Sequence, residues 1–78
     1  MTATGRLMRA RDADLDEMAV VRLVSGDRVA STKAERLEAV RVLTSRGYSL
    51  FTIALRLHMT DRSVSRHRAE LHRREVAA

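Results

Sequence analysis

Residues 49–72 carry the side chains with the clearest chemical potential in this chain. They are predicted to form two short helices joined by a tight turn, with arginines on the outer face of the second helix. Arg62 and Arg66 lie four positions apart and therefore share one helical face. A guanidinium can donate two hydrogen bonds to O6 and N7 of a guanine, and an α-helix fits the major groove of B-DNA. This spacing indicates contact with DNA base edges.

The other residue types argue against catalysis and against metal binding. The chain contains no cysteine, which excludes disulfides, thiolate metal sites and thiol nucleophiles. His67 and His72 are five positions apart and do not share a helical face, and no H-E-x-x-H pattern is present. Asp14 and Asp16 are predicted at a helix start rather than in a cleft, and there is no glycine-rich phosphate loop. We therefore expect no enzyme activity, no metal or other cofactor, and no small-molecule ligand.

The charge of the chain is unevenly distributed. The net charge of +5 comes from fourteen arginines and one lysine against ten acidic residues. Residues 1–28 hold five basic and five acidic residues, whereas residues 29–78 hold ten basic and five acidic residues. A basic half beside a neutral half is typical of a protein that binds a polyanion. A genome rich in G and C would raise the total of arginine, but it would not cluster the excess.

Length and composition predict one small all-α domain. The chain has 78 residues, of which 45% are apolar, with no proline and only three glycines, and this composition favours helices. It has no apolar run of membrane-spanning length and no pattern of a secretory signal, so we expect a cytoplasmic, nucleoid-associated protein without membrane contact. We expect a flexible arm at residues 1–10 and a single helical DNA-binding domain at residues 11–78. The architecture would be a small bundle of about four helices, with a C-terminal helix-turn-helix at residues 49–72.

The first two helices are predicted at residues 12–25 and from the capping residue Thr32 to about Arg46. Acidic residues crowd the start of the first helix, where they favour the positive end of the helix dipole, and Gly26 ends it. Thr32 and Glu35 fit the T-x-x-E capping box of the second helix. The inner faces are predicted at Leu15, Met18, Val21 (or Ala19) and Leu23 or Val24 in the first helix, and at Ala34, Leu37, Val40 and Leu43 in the second.

The last two helices are predicted at residues 50–57 and from 61 to about 75. Ser49 and Thr60 would cap them, and Phe51 is expected to fill the gap between the second and third helices. A small residue is needed where two such helices cross, and apolar residues are needed at the corner between them. The predicted motif core consists of Ile53, Ala54, Leu57, Met59, Val64, His67 and Leu71.

The segment IALRLHMTDRSVSRHRAEL resembles the helix-turn-helix of LuxR-type and sigma-factor DNA-binding domains, whose pattern is IA-x-x-L-G-[VIL]-[ST]-x-x-[ST]-V-x-x-[HY]. The preceding segment TKAERLEAVRVLTSRGYSLFTIALRL resembles small actinobacterial or actinophage helix-turn-helix proteins. Together the resemblance covers residues 32–72, about half of the chain. One departure is His58, which stands where the family has a turn glycine in the left-handed conformation. The positions that match the pattern are Ile53, Ala54, Leu57, Met59, Thr60, Ser63, Val64 and His67.

The resemblance implies roles for individual residues. The early turns of the last helix would face the groove, so the candidates for base contacts are Arg62, Ser65, Arg66 and Asp61. Asp61 has an alternative role as a charge that favours the helix N-terminus. The candidates for DNA phosphate contacts are Ser49, Thr60, Tyr48, Arg46, His58, Arg73 and Arg74. The arginines of the N-terminal arm could enter a minor groove or carry incidental charge.

These observations predict a protein that binds double-stranded DNA and regulates transcription, by insertion of residues 61–75 into the major groove. One alternative is an excision, recombination or architectural DNA-binding factor. Another is a module that contacts RNA polymerase or a larger repressor. Homodimerisation or binding of another protein would use residues 12–25, with Met18 or Val20 exposed, or the C-terminal end past Leu71. RNA binding is a further alternative, for which the chain lacks an aromatic stacking platform.

Overall fold

Four helices lie within residues 15–77, the part of the chain that the computed structural model describes. They are α1 (Glu17–Ser25), α2 (Lys33–Ser45), α3 (Leu50–Leu57) and α4 (Asp61–Ala77). No strand occurs within these residues, so the expectation of an all-α bundle of about four helices is confirmed. The arm predicted at residues 1–10 lies outside the described residues.

α1 begins later than the sequence indicated. Asp16 is extended, with φ −87° and ψ 112°, and its carboxylate accepts a hydrogen bond of 3.0 Å from the Met18 amide. Asp16 is therefore the N-cap, and the prediction of helix at Leu15 and Asp16 is wrong, while residues 12–14 lie outside the described residues. At the other end Gly26 has φ 100°, a left-handed conformation that glycine adopts without a Cβ penalty, and it ends the helix as predicted.

The buried face of α1 also differs from the predicted one. Val20, Leu23 and Val24 are buried, whereas Met18 and Val21 are 63% and 56% exposed. α1 has nine residues and packs against both α2 and α3, so its inner face is set by the place where those two helices meet. The prediction of Met18 and Val21 on the inner face is therefore wrong. Val20, predicted as a possible exposed residue for self-association, belongs to the core, and Met18 stays available.

A buried carboxylate fixes the connection between α1 and α2. Glu35 Oε1 accepts a hydrogen bond of 2.9 Å from the Thr32 amide, and Thr32 Oγ1 accepts one of 3.1 Å from the Glu35 amide, which confirms the capping box. Glu35 Oε2 also accepts a hydrogen bond of 2.9 Å from the Asp16 amide, 19 positions away. One side chain thus satisfies amides at the start of two helices.

The core lies around α2 and α3, because α1 and α4 each contact both of these helices. The inner face predicted for α2 is correct at its three large residues, and Ala39 is buried as well. Within the described residues α4 contributes a single buried side chain, Val64. The largest fully buried side chains are Leu43, Ile53, Val40 and Val64.

Phe51 is not part of this core. Its side chain is 60% exposed, so the prediction that it fills the gap between α2 and α3 is wrong. Each helical residue is rotated by about 100° from the previous one, which places Phe51 about 160° from the buried Ile53. Tyr48 and Leu50 pack against the core at this junction instead.

Candidate nucleic-acid interface

The turn between α3 and α4 contains a histidine in the left-handed conformation. His58 has φ 58° and ψ 42° and is the only non-glycine residue with a positive φ among residues 15–77. Its Nε2 lies 2.9 Å from the carbonyl oxygen of Gly26, and its Nδ1 lies 3.2 Å from Nη2 of Arg28. Because arginine can only donate, Nδ1 accepts and Nε2–H donates. The residue that stands where the resemblance predicts a turn glycine therefore joins the turn between α3 and α4 to the end of α1.

This arrangement bears on the phosphate contact predicted for His58. Both ring nitrogens already have partners within the chain, so a contact with phosphate would require one of these hydrogen bonds to be released. The role of His58 at phosphate stays a prediction, and the structure gives the residue a second role in positioning the turn.

Ser49 and Thr60 cap α3 and α4, as the sequence predicted. Ser49 Oγ accepts a hydrogen bond of 3.2 Å from the Thr52 amide, and Thr60 Oγ1 accepts one of 3.0 Å from the Ser63 amide. Both capping residues are exposed. Their hydroxyls lie beside the backbone amides of helix N-termini, which are the positions at which phosphate groups bind in proteins.

α4 is attached to the rest of the fold by one buried valine and one arginine. Val64 is 0% exposed. Arg68 extends back to the connection between α2 and α3, where Nη2 donates to the Tyr48 carbonyl at 2.9 Å and Nε donates to Thr44 Oγ1 at 3.2 Å. About one turn further along, Leu71 packs against the core. These contacts determine which face of α4 points away from the fold.

The structure brings the residues of the predicted motif core together. Four of them are buried, and Met59, His67 and Leu71 are partly buried against them. The buried members are Ile53, Ala54, Leu57 and Val64. His67 Nδ1 donates to the Ser63 carbonyl at 2.7 Å, and its buried Nε2 has no hydrogen-bond partner among the described residues.

The face of α4 opposite Val64 is exposed and basic. At about 100° per residue, five positions between residues 61 and 73 fall within about 60° of one line along the helix, about 160° from Val64. We call these positions the outer stripe: Arg62, Ser65, Arg66, Ala69 and Arg73. All five are exposed, and the three arginines form no ion pair or side-chain hydrogen bond within residues 15–77. At 1.5 Å per residue, the first and last arginines of the stripe are about 16 Å apart along the axis.

The remaining predicted contact residues fall into two groups. Arg46 and Asp61 are exposed at helix ends, and their side chains have no partner among the described residues. Tyr48 is partly buried, with the Arg56 guanidinium 5.1 Å from the centre of its ring. Arg74 Nη2 forms an ion pair with Glu70 at 2.8 Å. In this second group, the ring of Tyr48 and the guanidinium of Arg74 therefore already contact other side chains of the protein.

Lys33 is a residue near α4 that the sequence did not identify. Its Nζ lies 3.4 Å from Glu70 Oε1, so that Glu70 pairs with both Lys33 and Arg74. Partial desolvation raises the pKa of Glu70, but the two neighbouring cations lower it by more, and the net pKa lies below its ordinary value. Lys33 follows a helix cap, and no local sequence signal indicates that it would lie beside α4.

Comparisons with protein-family models, with curated proteins and with solved structures found no match for this chain. The resemblance to LuxR-type, sigma-factor and small actinobacterial or actinophage domains therefore stays an expectation based on the residues quoted above. Within residues 15–77, none of the helices combines the length and the apolar character needed to cross a bilayer. The same residues contain no cluster of three or more histidine, aspartate or glutamate side chains that could hold a metal ion.

Proposed function

We propose that this protein binds double-stranded DNA by inserting α4 into the major groove and that it regulates transcription. The observation that carries the proposal is the outer stripe of α4. Its three arginines are exposed and unpaired within the described residues, on the face opposite the buried Val64. A guanidinium free of internal partners can offer all its donors to guanine edges or to phosphates.

The dimensions of α4 suit this role. An α-helix with its side chains is about 10–12 Å across, and the major groove of B-DNA is about 12 Å wide. With the outer stripe directed to the floor of the groove, Arg62, Ser65 and Arg66 would meet base edges. Arg73 would meet the backbone about three turns later, and α3 would cross the backbone.

The distribution of charge supports the same proposal. The excess of basic residues lies entirely in residues 29–78, the half that contains α2, α3 and α4. Contacts between arginine and phosphate release counterions, so binding should weaken as the salt concentration rises. The logarithm of the binding constant should fall linearly with the logarithm of the salt concentration, with a slope of about 0.9 for each phosphate contacted.

The experiment that tests the proposal is selection of bound sites from random duplex DNA, followed by affinity measurements on Arg62→Ala and Arg66→Ala. Loss of a bidentate contact to guanine removes about 1–3 kcal/mol of discrimination, which is roughly 5- to 150-fold in affinity for the selected site. Arg22→Ala is the matched control, because Arg22 is exposed on α1 and its substitution removes the same charge from the protein. We expect the control to change affinity by less than about twofold.

Circular dichroism of each variant shows whether its helices remain folded. Folded Arg62→Ala and Arg66→Ala proteins that both bind the selected duplex like wild type would refute insertion of α4. A strong preference for one site supports a regulator, whereas binding with little preference would favour the alternative of an architectural or recombination factor. The mass of the protein in solution, compared with the symmetry of the selected site, shows whether a dimer binds.

A further inference from the structure

An open depression of about 420 Å³ lies along one flank of α4, between this helix and the start of α2. Lys33, Arg66 and Arg73 line it, together with Glu70, His67, Ser63 and Ala69. The depression therefore combines three cationic side chains with a single carboxylate. Two helices contribute these cations, so the cluster exists only in the folded protein.

Glu70 contacts one cation of this cluster, Lys33, and a further cation that does not line the depression, Arg74. One carboxylate oxygen is 3.4 Å from Lys33 Nζ, and the other is 2.8 Å from Arg74 Nη2. The net pKa of Glu70 is lowered, so the side chain is ionised at neutral pH. Arg66 and Arg73 have no acceptor among the described residues. The positive charge of the cluster thus exceeds what its own carboxylate neutralises.

When α4 is inserted as proposed, the depression faces the sugar-phosphate wall of the groove. Arg66 and Arg73 belong to the outer stripe and are seven positions apart, close to two helical turns. Glu70 lies between them and is rotated by about 80° from Arg62, toward the flank of the helix. Because the groove is barely wider than the helix, the flank of an inserted helix meets the sugar-phosphate wall.

We propose that Lys33 and Arg73, beside the base-contacting Arg66, form a binding site for one phosphate group of the DNA backbone and that Glu70 competes with this phosphate from within the site. This inference rests on the proposed function and adds Lys33 and Glu70 to the interface. In the free protein Glu70 holds Lys33. In the complex a backbone phosphate takes the place of the carboxylate, and Lys33 turns to it. A phosphodiester oxygen and a carboxylate oxygen are both acceptors of charge-assisted hydrogen bonds.

The test compares Glu70→Gln with Lys33→Ala in binding to the selected duplex over a range of salt concentrations. Removing the competing carboxylate should tighten binding about two- to fivefold, the size of an exposed ion-pair effect. Lys33→Ala should weaken binding by a similar factor. It should also lower the slope of the logarithm of the binding constant against the logarithm of the salt concentration by about 0.9, the value for one phosphate contact. In the double variant the gain from Glu70→Gln should shrink, because part of it acts through Lys33.

The chain offers matched controls in Glu38 and Arg41, an exposed ion pair within α2 that does not line this depression. Glu38→Gln and Arg41→Ala change the net charge by the same amounts as the two test variants. If each test variant binds like its control while Arg62→Ala weakens binding, the phosphate site is wrong and DNA binding stands. If no variant or wild-type protein binds duplex, the proposed function fails together with the backbone phosphate as ligand.

A second measurement separates the two possible sources of phosphate. Inorganic phosphate is titrated into the protein, and the backbone amide signals of Lys33, Arg66, Glu70 and Arg73 are followed by NMR. Saturable shifts confined to these residues, together with the duplex results above, support the site. Such shifts without any binding of duplex would assign the cluster to free phosphate and overturn the DNA backbone as its ligand. Absence of both effects would overturn the site itself.

Discussion

Val64→Ala should destabilise this protein, because Val64 is the single buried residue of α4 among residues 61–77. Its side chain is 0% exposed and belongs to the same core cluster as Ile53, Ala54 and Leu57 of α3. Apart from Val64, the attachment of α4 depends on the partly buried Leu71, the hydrogen bonds of Arg68 and the ion pair between Lys33 and Glu70. Loss of packing at this position therefore weakens the contact that orients the whole helix.

The magnitude follows from the two methyl groups that the substitution removes. Each buried carbon contributes about 0.8 kcal/mol through transfer from water, so the loss is about 1.6 kcal/mol. The cavity left in a rigid core adds about 1 kcal/mol, and the better helix propensity of alanine offsets about 0.5 kcal/mol. The expected decrease in unfolding free energy is about 2 kcal/mol. A domain of this length has a total of about 4–12 kcal/mol, and Tm should fall by about 8–16 °C.

Urea denaturation followed by circular dichroism at 222 nm measures this difference. Val76→Ala is the matched control, because it makes the same substitution on the same helix at a side chain that is 71% exposed. We expect the control to lie within about 0.5 kcal/mol of wild type. A Val64→Ala protein as stable as the Val76→Ala control would refute the view that α4 is anchored through Val64.

Two further predictions concern the turn and the surface of α2. His58→Ala should be less stable than His58→Gly by about 1 kcal/mol. Both variants lose the hydrogen bonds to Gly26 and Arg28, but only alanine has a Cβ and retains the free-energy cost of the left-handed conformation. Equal unfolding free energies of the two variants would contradict this prediction. The hydrogen bond from Arg41 lowers the pKa of Glu38 below 4.5, against an opposing effect of desolvation and with a smaller contribution from the charge of Arg41. The stabilisation by this pair is therefore present above pH 4.5 and is lost as the pH falls through the lowered pKa. Glu38→Gln should accordingly lower the unfolding free energy by about 0.3–0.5 kcal/mol at about pH 7 and leave it unchanged at about pH 2. Denaturation curves of both proteins at the two pH values check the difference, and an equal gap at both would count against it.

The features that the sequence predicted correctly depend on neighbouring residues. The bounds of α3 and the start of α4 follow from Ser49 and Thr60, whose hydroxyls cap the helix that comes directly after each of them. The reciprocal hydrogen bonds of Thr32 and Glu35 span three positions. The left-handed turn at His58 follows from the residue pattern around it. For the three caps, the determining atoms lie within one helical turn.

The features that the sequence missed depend on contacts between distant positions. Phe51 was expected inside because it is large and aromatic, but α3 is only eight residues long and turns Ile53 and Leu57 toward the core. Met18 was expected inside from spacing alone, yet the face of α1 is selected by α2 and α3. The position of Lys33 beside Glu70 likewise appears only when α2 and α4 are packed together.

Four arginines of α3 and α4 divide into two pairs, whose substitution should have different effects. Arg56 donates to a carbonyl in the last turn of α1 at 2.9 Å, and Arg68 donates to a carbonyl between α2 and α3 at the same distance. These carbonyls lie at or beyond helix ends, where the helical ladder does not supply a partner. Arg62 and Arg66 make no such bond within residues 15–77. Loss of the first pair should therefore lower the unfolding free energy, whereas loss of the second pair leaves the fold unchanged and alters only what the exposed face of α4 can bind.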